Sequence, residues 1–552
     1  MKINSVILEL LKKRGISEND DINEVLSDKP QKTYDPSLLD DIEAGVDLIL
    51  AKINAGARIC IYGDYDADGI TSTSLLIDVL SNLMPREKLD YYIPSRFEEG
   101  YGLNMEAVRH IAERGFDMMI TVDCGSVSAE EVVYAGELGM EVVVTDHHNI
   151  TDRMAAGILI NPKKPGDPYP FKNLSGCGVA FKLAQLIQKK AGLPKSVLSN
   201  VLDLVAIGTV GDIMPLVDEN RTMVKYGLKV INSGKRVGLR RLMEAAGLSL
   251  GNIDAGNIGY VIVPHLNASG RIEDASQAVR LLTADEGDSE IDRIVEDLIF
   301  KNQERRRLQN ETYRACSAGM VEGKTDDFIL IISENAHEGI AGITAGKIKD
   351  AFYRPAILLT PTGNGEERLL KGTGRSIAGI DLYGLLKNHE ELFLKFGGHA
   401  GACGFTMRED DFEKLSDGLL TDMKKIREDN PDIFTRKYDI DMTIESKEVS
   451  IEFAEQLQLL APFGNGNPKP LFKIDNVTLS DIRFMGNENQ HVRFNACSRA
   501  GKIIRCVLFN RAADYGTSLY TRRPVEIIGS LETQIWQGAK RLQFITEKIK
   551  FD

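Results

Sequence analysis

The stretch ARICIYGDYDADGITSTSLL, residues 57–76, decides the fold of the first half of the chain. Residues 58–62 are typical of a buried strand, and the glycines and the Thr and Ser residues that follow indicate a turn and then a helix. Three aspartates, Asp64, Asp66 and Asp68, lie in the turn. Because like charges this close together repel each other, the turn is either a solvated acidic loop or a site where a cation compensates.

Strand-like and helix-like segments alternate on the C-terminal side of this stretch. The strand-like segments LDYYIPS, DMMITVDCG and MEVVVTDHH are separated by NMEAVRHIAERG and SAEEVVYAGELG, which have the period of a helix. This alternation predicts an α/β fold whose doubly wound sheet is mainly parallel. In such sheets ligands bind at the carboxyl ends of the strands, where the three aspartates are expected to lie.

The length of 552 residues and the changes of pattern along them predict five segments. They are an N-terminal helical segment at 1–40, a catalytic α/β domain at 41–230, a helical connector at 231–320, a second and smaller α/β domain at 321–430, and a C-terminal β-barrel at 431–552. The barrel is predicted because apolar and polar residues alternate with a period of two in its strand-like segments.

Composition favours a soluble enzyme of the cytoplasm. No run of the sequence approaches the ~18 uncharged apolar residues of a membrane span, and the first residues lack the pattern of a signal peptide. The seven cysteines are scattered and never in CxxC spacing, so neither a disulfide framework nor a thiolate zinc site is indicated.

The net charge of −14 argues at first against a nucleic-acid partner. Residues 481–552, however, carry twelve Lys and Arg against seven Asp and Glu, so the predicted barrel is a basic module on an acidic chain. Its aromatic residues include Phe494, Phe509, Tyr515 and Trp536. Their alternation places most of these rings in a core, and one or two exposed rings would stack bases without reading sequence.

Further strand-like segments end in residues that bind metals. Asp123 ends one apolar run, Asp146, His147 and His148 end the next, and Asp212 follows a third. Carboxylate oxygens with one or two imidazoles suit Mn²⁺ or Mg²⁺, and so many carboxylates predict two ions, the arrangement used in phosphoryl hydrolysis. The alternative, in which Asp146 caps a helix and both histidines are structural, is weak because successive strands end in the same way.

The motifs GDYDADG, VDCG, DHH and GTVGD resemble the four successive motifs of the DHH phosphoesterase superfamily. The rest of the chain resembles the single-strand-specific exonucleases of that superfamily, through PSRFEEGYGL, VPHLNASGR, AHEGIAGITAGKI, KGTGRSIAGIDL, KFGGHAGACGF and PFGNGNPKP. The resemblance implies a DHH catalytic domain, a second α/β domain that closes the cleft, and an oligonucleotide-binding (OB) barrel. Tyr62 departs from the pattern, because some members carry a metal-binding His there, and Ala336 stands before His337 where Trp is more usual.

The same resemblance implies an activity and its partners. The expected reaction is the stepwise 5′-to-3′ hydrolysis of single-stranded DNA to 5′-mononucleotides in DNA repair and recombination, with two Mn²⁺ or Mg²⁺ ions. The expected enzyme is a cytoplasmic monomer without a membrane contact, and a single-strand-binding protein and a helicase are its candidate protein partners.

The resemblance also implies the metal ligands. One ion is assigned to Asp66 and Asp123 with Asp64 nearby, and the other to Asp68, Asp123, His147 and Asp212. Asp123 is thereby expected to bridge the two ions. His148 is expected either to touch the scissile phosphate or to help protonate the leaving oxygen, and Asp146 to orient an imidazole. The predicted catalytic residues are Asp66, Asp68, Asp123, His147, His148 and Asp212.

Eight substrate-binding residues complete the predicted site: Arg96, Tyr101, Arg271, His337, Thr373, Arg375, Ser376 and His399. Two guanidinium groups and a hydroxyl, those of Arg96, Arg375 and Thr373, are expected to bind the 5′-terminal phosphate and so to set the direction of digestion. For Arg96 the alternative is a surface ion pair with Glu98 or Glu99.

Three other functions stay open at the level of sequence. A phosphodiesterase for short oligoribonucleotides or cyclic dinucleotides would share the metal motifs, as would a pyrophosphatase, but neither needs a nucleic-acid barrel. A non-catalytic scaffold of the replication machinery would have lost several metal ligands, whereas every motif is filled here.

Overall fold

The computed structural model describes residues 3–96, 99–150, 153–272, 274–320, 326–362, 368–536 and 539–551. The chain forms two compact units. Unit 1 consists of Met1–Val263, Val279–Asp288 and Tyr438–Asp552, and unit 2 consists of Pro264–Ala278 and Ser289–Lys437. Unit 1 thus combines the predicted catalytic domain with the N-terminal segment and the barrel, and the predicted connector contributes to both units.

The predicted doubly wound sheet lies in unit 1. Its five strands are β1 (Ile59–Gly63), β2 (Leu89–Tyr92), β3 (Met118–Val122), β4 (Glu141–Thr145) and β5 (Ile158–Ile160). All neighbouring pairs are parallel, and the order is β2-β1-β3-β4-β5, which confirms the predicted fold class.

Helices cover both faces of this sheet. On one face, Met105–Glu113 and Ala129–Glu137 share a core with Cys60 and Tyr62. On the other face, the helix Ile42–Asn54 packs closely on the strands through Gly45. A Cβ added at Gly45 would lie 3.0 Å from Ile160 Cδ1. The helices of the domain are Ile42–Asn54, Ala67–Leu80, Met105–Glu113, Ala129–Glu137, Gly176–Ala191, Ser196–Asn200, Leu202–Gly211 and Asp218–Ser233.

The strand order places a topological switch point between β1 and β3. The chain leaves β1 towards β2 at one edge of the sheet and leaves β3 towards β4 at the other. Loops that part in this way open a crevice at the carboxyl ends of the two strands. Because β1, β3 and β4 end in register, the residues that follow them, Asp64, Asp123 and Asp146, lie side by side at this crevice.

The predicted connector is helical. It contains Val237–Ala245, Ala255–Asn257, a π-helical turn at Ile258–Ile262, Val263–Ile272, Ser276–Leu282 and the long helix Ile291–Ser317. Among the described residues, every helix is too short or too polar to cross a lipid bilayer.

Unit 2 contains a second sheet with helices. Its strands are β6 (Ile329–Ile332), β7 (Ala356–Thr362), β8 (Leu369–Arg375), β9 (Phe393–His399) and β10 (Ala402–Arg408), in the order β6-β7-β8-β10-β9. Its helices after the connector are Glu338–Phe352, Leu382–Lys387 and Phe412–Asp429. Among the described strands of unit 2 only β6 and β7 pair in parallel, so the region is a small mixed α/β domain, as predicted.

The C-terminal strands close into the predicted OB-type barrel. They are β11 (Met442–Thr443), β12 (Phe472–Met485), β13 (His491–Ser498), β14 (Ile503–Leu508), β15 (Val525–Trp536) and β16 (Ala539–Phe551), with the short helices Ile451–Leu457 and Ala512–Tyr515. The order is β11-β12-β13-β14-β16-β15, and β15 pairs back onto β12. Phe494 and Tyr515 lie in the barrel core, whereas Phe509 is 47% exposed. The side chain of Trp536 lies outside the described part.

The N-terminal segment packs into the barrel. It begins with the helices Ser5–Lys13 and Asn19–Leu26, and the apolar face of the first helix, including Ile7 and Leu10, belongs to the same core as barrel residue Phe472. The guanidinium of Arg14, through Nε, lies 3.1 Å from Asp441 Oδ1. Removing the barrel, residues 431–552, would therefore expose the apolar face of this helix to solvent. A truncated chain would lose this packing as well as any contact between the barrel and DNA.

Candidate metal centre

Three groups of possible metal ligands lie at the carboxyl edge of the unit 1 sheet. They are Asp64, Asp66 and Asp123; Asp68, His147 and Asp212; and Asp123, His147 and His148. In each group the ligand atoms lie within 4.8 Å of one another. Asp123 Oδ1 is 3.1 Å from His147 Nε2, so Asp123 lies between the first two groups. The structure thus brings together all six predicted metal ligands.

Backbone donors hold two of the aspartates in place. Asp66 caps the helix Ala67–Leu80, where its Oδ1 accepts hydrogen bonds from the backbone N–H groups of Asp68 (2.9 Å) and Gly69 (3.2 Å). Asp68 in turn accepts from Gly176 N at 2.6 Å and from Cys177 N at 2.9 Å, at the start of another helix. The helix N-terminus partly offsets the cost of burying the Asp68 carboxylate.

Backbone geometry positions two further carboxylates, those of Asp123 and Asp212. Asp123 has a φ of 61°, a left-handed conformation that is uncommon outside glycine, directly after β3. Asp212 is the C-terminal cap of the helix Leu202–Gly211, and its Oδ2 lies 3.4 Å from His147 Nε2.

Electrostatics in the cluster favour an added positive charge. Burial, and then the repulsion of neighbouring aspartates, raises the pKa of Asp64, Asp68 and Asp123 well above that of an ordinary carboxyl group. Burial and the charge of Asp66 raise the pKa of Asp212 to about 7. Burial and the nearby His148 lower the pKa of His147 to about 3, so its imidazole is neutral and able to bind a cation.

Several buried polar atoms of the cluster lack a hydrogen-bond partner within the described residues. They are Asp64 Oδ1, Asp123 Oδ1, both ring nitrogens of His147, and Asp212 Oδ2. Buried polar atoms are almost always paired, so unpaired carboxylate oxygens that face one another fit a site for oxygen-loving divalent cations. This donor set suits Mn²⁺ or Mg²⁺, and Asp123 belongs to two of the three ligand groups.

His148 is held differently from His147. Its Nδ1 lies 2.8 Å from Asp146 Oδ1 and 2.9 Å from the hydroxyl oxygen of Tyr101. Burial would favour a neutral His148, but the hydrogen bond and charge of Asp146 outweigh it and raise the pKa of His148. The same contact lowers the pKa of Asp146. Asp146 therefore orients His148, whose side chain is 44% exposed at the edge of the cluster.

Tyr62, the residue that departs from the superfamily pattern, belongs to none of the three ligand groups in the described part of the chain. Its side chain is buried on the face of the sheet that the helices Met105–Glu113 and Ala129–Glu137 cover, where the ring stacks on Tyr92 with a centroid distance of 5.5 Å. Its hydroxyl donates to the carbonyl of Gly102 at 2.9 Å, next to Tyr101.

Arg96 lies near the metal cluster in unit 1. Its guanidinium carbon is 5.0 Å from the centroid of the Tyr65 ring, and its charge acts on Asp64. Glu99 accepts hydrogen bonds from Tyr92, the Ser95 backbone and Asn104. Glu98, the other partner considered for Arg96, lies outside the described residues.

In unit 2, predicted substrate-binding residues gather at the first turns of the helix Glu338–Phe352. His337 caps this helix, and Arg271 Nη1 donates to the carbonyl of Gly339 at 3.0 Å. Thr373 and Arg375 lie over Gly342, where an added Cβ would be 2.9 Å from Arg375 Nη2 and 3.1 Å from Thr373 Cγ2. A guanidinium beside a helix N-terminus is a suitable place for an anion.

Ser376 and His399 meet at a neighbouring turn. The backbone N–H of Ser376 donates to the carbonyl of Gly401 at 3.0 Å, and the N–H of Gly401 donates to His399 Nδ1 at 3.2 Å. The predicted substrate-binding residues therefore fall into one group in unit 1, Arg96 and Tyr101, and one group in unit 2.

Family models match three parts of the chain. They are the DHH family, N-terminal domain at residues 58–209, the DHHA1 domain at 326–425 and the RecJ OB domain at 440–548. Each matched range falls inside one predicted segment.

Curated relatives and solved structures match nearly the whole chain. The single-stranded-DNA-specific exonuclease RecJ of Bacillus subtilis is 34% identical over 550 residues, which cover 99% of this chain and 68% of the relative. The crystal structure of Thermus thermophilus RecJ in complex with Mn²⁺ has a TM-score of 0.82 and 29% identity, and covers 99% of this chain and 75% of that one. The complex of the same protein with Mg²⁺ has a TM-score of 0.77 and 27% identity, and covers 100% and 75%.

Sequence reasoning missed the glycines that let the carboxylates pack. An added Cβ at Gly176 would lie 2.5 Å from Asp123 Cβ, and at Gly208 it would collide with Asp68 Oδ1. Glycine is unfavourable inside a helix, so glycines within the helix-like runs SGCGVAF and AIGTVGD were a signal of close approach. Asn161 was also missed: its Nδ2 donates to Ser126 Oγ at 2.8 Å and to the His148 carbonyl at 2.9 Å.

We expect Gly176→Ala to weaken Mn²⁺ binding about tenfold or more, because the new methyl group forces Asp123 out of place. The affinity is measured by electron paramagnetic resonance of free Mn²⁺. The matched control is Gly136→Ala, since no atom lies within 4 Å of a Cβ added at that helical position. The control should bind Mn²⁺ normally, and equal affinities in both variants would contradict the close packing of Asp123.

Proposed function

Because the chain belongs to the family of the single-stranded-DNA-specific exonuclease RecJ, we propose that it hydrolyses single-stranded DNA stepwise from the 5′ end, using two Mn²⁺ or Mg²⁺ ions. The observation that carries this function is the closeness of two ligand groups. Asp123, which belongs to the group with Asp64 and Asp66, lies 3.1 Å from His147, which belongs to the group with Asp68 and Asp212. The products are 5′-mononucleotides, and the setting is DNA repair and recombination.

The metal ligands of the chain act as a rigid frame. When bound, two divalent cations would lower the pKa of an attacking water and stabilise the negative charge at the scissile phosphate. The chain fixes the separation of the two ligand groups through Asp123, which is held in its left-handed conformation at the end of β3. Asp68 is anchored by two backbone donors, so its carboxylate needs little reorganisation when a cation binds.

His148 is the residue best suited to act on the substrate. It is partly exposed, whereas His147 is buried among the carboxylates. The contact with Asp146 favours a protonated imidazole, and the hydroxyl oxygen of Tyr101 lies 2.9 Å from Nδ1 and 3.3 Å from Nε2 of the same ring. A proton at His148 Nε2 is then available for a phosphate oxygen or for the leaving oxygen.

The barrel supports a nucleic-acid substrate. A groove of about 530 Å³ on its surface is lined by three arginines, Arg493, Arg505 and Arg541, and by one acidic residue, Asp481. Closely placed guanidinium groups attract a phosphate backbone without reading base sequence. A pyrophosphatase or a phosphodiesterase for dinucleotides has no use for such a surface, and a non-catalytic scaffold has no use for a complete ligand set.

The direction of digestion needs a site that recognises one end of the strand, because two ions hydrolyse a linkage equally well from either end. Thr373 and Arg375, over the start of the helix Glu338–Phe352, are the proposed contacts of the 5′-terminal phosphate. A dianionic terminal phosphate suits a guanidinium fork and a helix N-terminus better than an internal monoanionic one. The role of Arg96 in binding this phosphate is proposed on the family resemblance.

The remaining proposals rest on the same resemblance. We place the protein in the cytoplasm as a monomer whose substrate is single-stranded DNA, with a single-strand-binding protein and a helicase as its protein partners.

The function is tested by incubating the chain with linear single-stranded DNA labelled at its 5′ end. We expect Mn²⁺-dependent release of labelled mononucleotide first, and no digestion of duplex or circular DNA. Asp123→Asn should slow the reaction about a thousandfold or more, since each bound ion contributes several kcal/mol. Digestion of circles, faster cleavage of two-nucleotide RNA, or full activity in Asp123→Asn would refute the proposal.

Recognition of the 5′ phosphate is tested by comparing rates on 5′-phosphorylated and 5′-hydroxyl strands. Arg375→Ala should reduce the preference for the phosphorylated strand about tenfold or more, because a charge-assisted contact is lost. Gly342→Ala should have a similar effect, since its methyl group displaces the guanidinium of Arg375.

The matched control for this test is Gly346→Ala, one turn further along the same helix. A Cβ at Gly346 would lie 3.9 Å from Arg375 Cγ, which is an ordinary contact. A preference that stays unchanged in both Arg375→Ala and Gly342→Ala would show that these residues do not select the end.

A further inference from the structure

Ile213, the residue directly after Asp212, has an unusual backbone. Its φ is 56°, in the left-handed region that β-branched residues avoid. Its side chain is 70% exposed, so burial of the side chain does not compensate for the strained backbone. A conformation of this kind persists only when surrounding contacts impose it, and such residues cluster at functional sites.

Part of the constraint comes from the end of the helix Leu202–Gly211. The N–H of Ile213 donates to the carbonyl of Val210 at 3.1 Å, and the N–H of Met214 donates to that of Thr209 at 3.0 Å. These are the two hydrogen bonds of a Schellman motif, in which glycine usually occupies the position of Ile213. The motif alone therefore does not explain why isoleucine is tolerated there.

A loop that leads into the barrel supplies the remaining contacts. Asn465 Nδ2 donates to the carbonyl of Ile213 at 2.8 Å, and the N–H of Leu216 donates to the carbonyl of Asn465 at 2.7 Å. Both segments belong to unit 1. Asn465 thus bonds to the segment after Asp212 at two points.

Glycines on both sides of Asn465 bring this loop close to the same segment. An added Cβ at Gly464 would lie 2.8 Å from Leu216 Cδ1, and one at Gly466 would lie 3.0 Å from Pro215 Cβ. The loop of residues 464–467 and the segment of residues 213–217 are therefore packed against each other with little freedom.

We propose that Asn465 is a positioning residue for the metal ligand Asp212. By holding the Ile213 carbonyl, it keeps the strained turn in place and thereby fixes the carboxylate whose Oδ2 lies 3.4 Å from His147 Nε2. The loop before β12 is then part of the frame of the metal centre, in addition to any role of the barrel in binding DNA. This inference rests on the metal-dependent function proposed above.

The test measures Mn²⁺ binding by isothermal titration calorimetry on the full chain without DNA. Asn465→Ala should weaken binding at the site that contains Asp212 about fivefold, the effect of one lost hydrogen bond. The matched control is Asn232→Ala, because Asn232 Nδ2 also donates to two backbone carbonyls, those of Leu228 and Ile253, away from the ligand groups. The control should bind Mn²⁺ like the wild type.

A second substitution separates positioning from general damage. Glycine adopts the left-handed conformation without strain, so Ile213→Gly removes the need for the contact with Asn465. The double variant Asn465→Ala, Ile213→Gly should bind Mn²⁺ within about twofold of the wild type, and its thermal unfolding should confirm that it is folded. A merely structural defect in the loop would not be rescued in this way.

The outcomes distinguish this inference from the function on which it rests. If the wild type binds no Mn²⁺, the proposed function itself fails. If the wild type binds Mn²⁺ but Asn465→Ala binds it equally well, or if Ile213→Gly does not restore a lost affinity, the positioning role of Asn465 is overturned.

Discussion

Mutual repulsion among buried carboxylates is the constraint on which the rest of unit 1 depends. Asp64, Asp68 and Asp123 are buried within a few ångströms of other acids, and burial together with repulsion raises the pKa of each. No ordinary fold gains from such a cluster, because desolvated like charges cost free energy. The surrounding structure holds these carboxyl groups close together, and bound cations would neutralise their charges.

Elements of the fold both next to the cluster and further from it hold the carboxylates in place. The switch point between β1 and β3 opens the crevice, and the register of the strands aligns the residues that follow them. The N-terminus of the helix Gly176–Ala191 stabilises Asp68, and glycines at 176 and 208 leave room for the carboxylates. Further out, the loop around Asn465 reaches the segment after Asp212, so parts of the chain about 250 residues apart in sequence, from 212 to 465, support one metal centre.

Local sequence patterns were enough to predict the parallel sheet and candidate ligands at its edge, because Asp64 and Asp123 directly follow buried strands and Asp212 follows an apolar helix. The assignment of the ligands to two ions came from the family resemblance. Contacts between distant segments were beyond such patterns. The core that Ile7 shares with Phe472, and the close approach of Gly176 to Asp123, depend on tertiary structure that no periodicity encodes. Tyr62 shows the same limit. The resemblance marked it as a departure, at a place where some members carry a metal-binding His, but only the structure shows that its side chain lies in the core with the helices Met105–Glu113 and Ala129–Glu137.

The central claim, that the acidic cluster exists to hold two divalent cations, is tested most directly by native mass spectrometry of the metal-free chain titrated with Mn²⁺. We expect two Mn²⁺ ions to bind to each chain and no further tight binding to follow. A chain that binds no Mn²⁺, or only one ion at saturation, would contradict it.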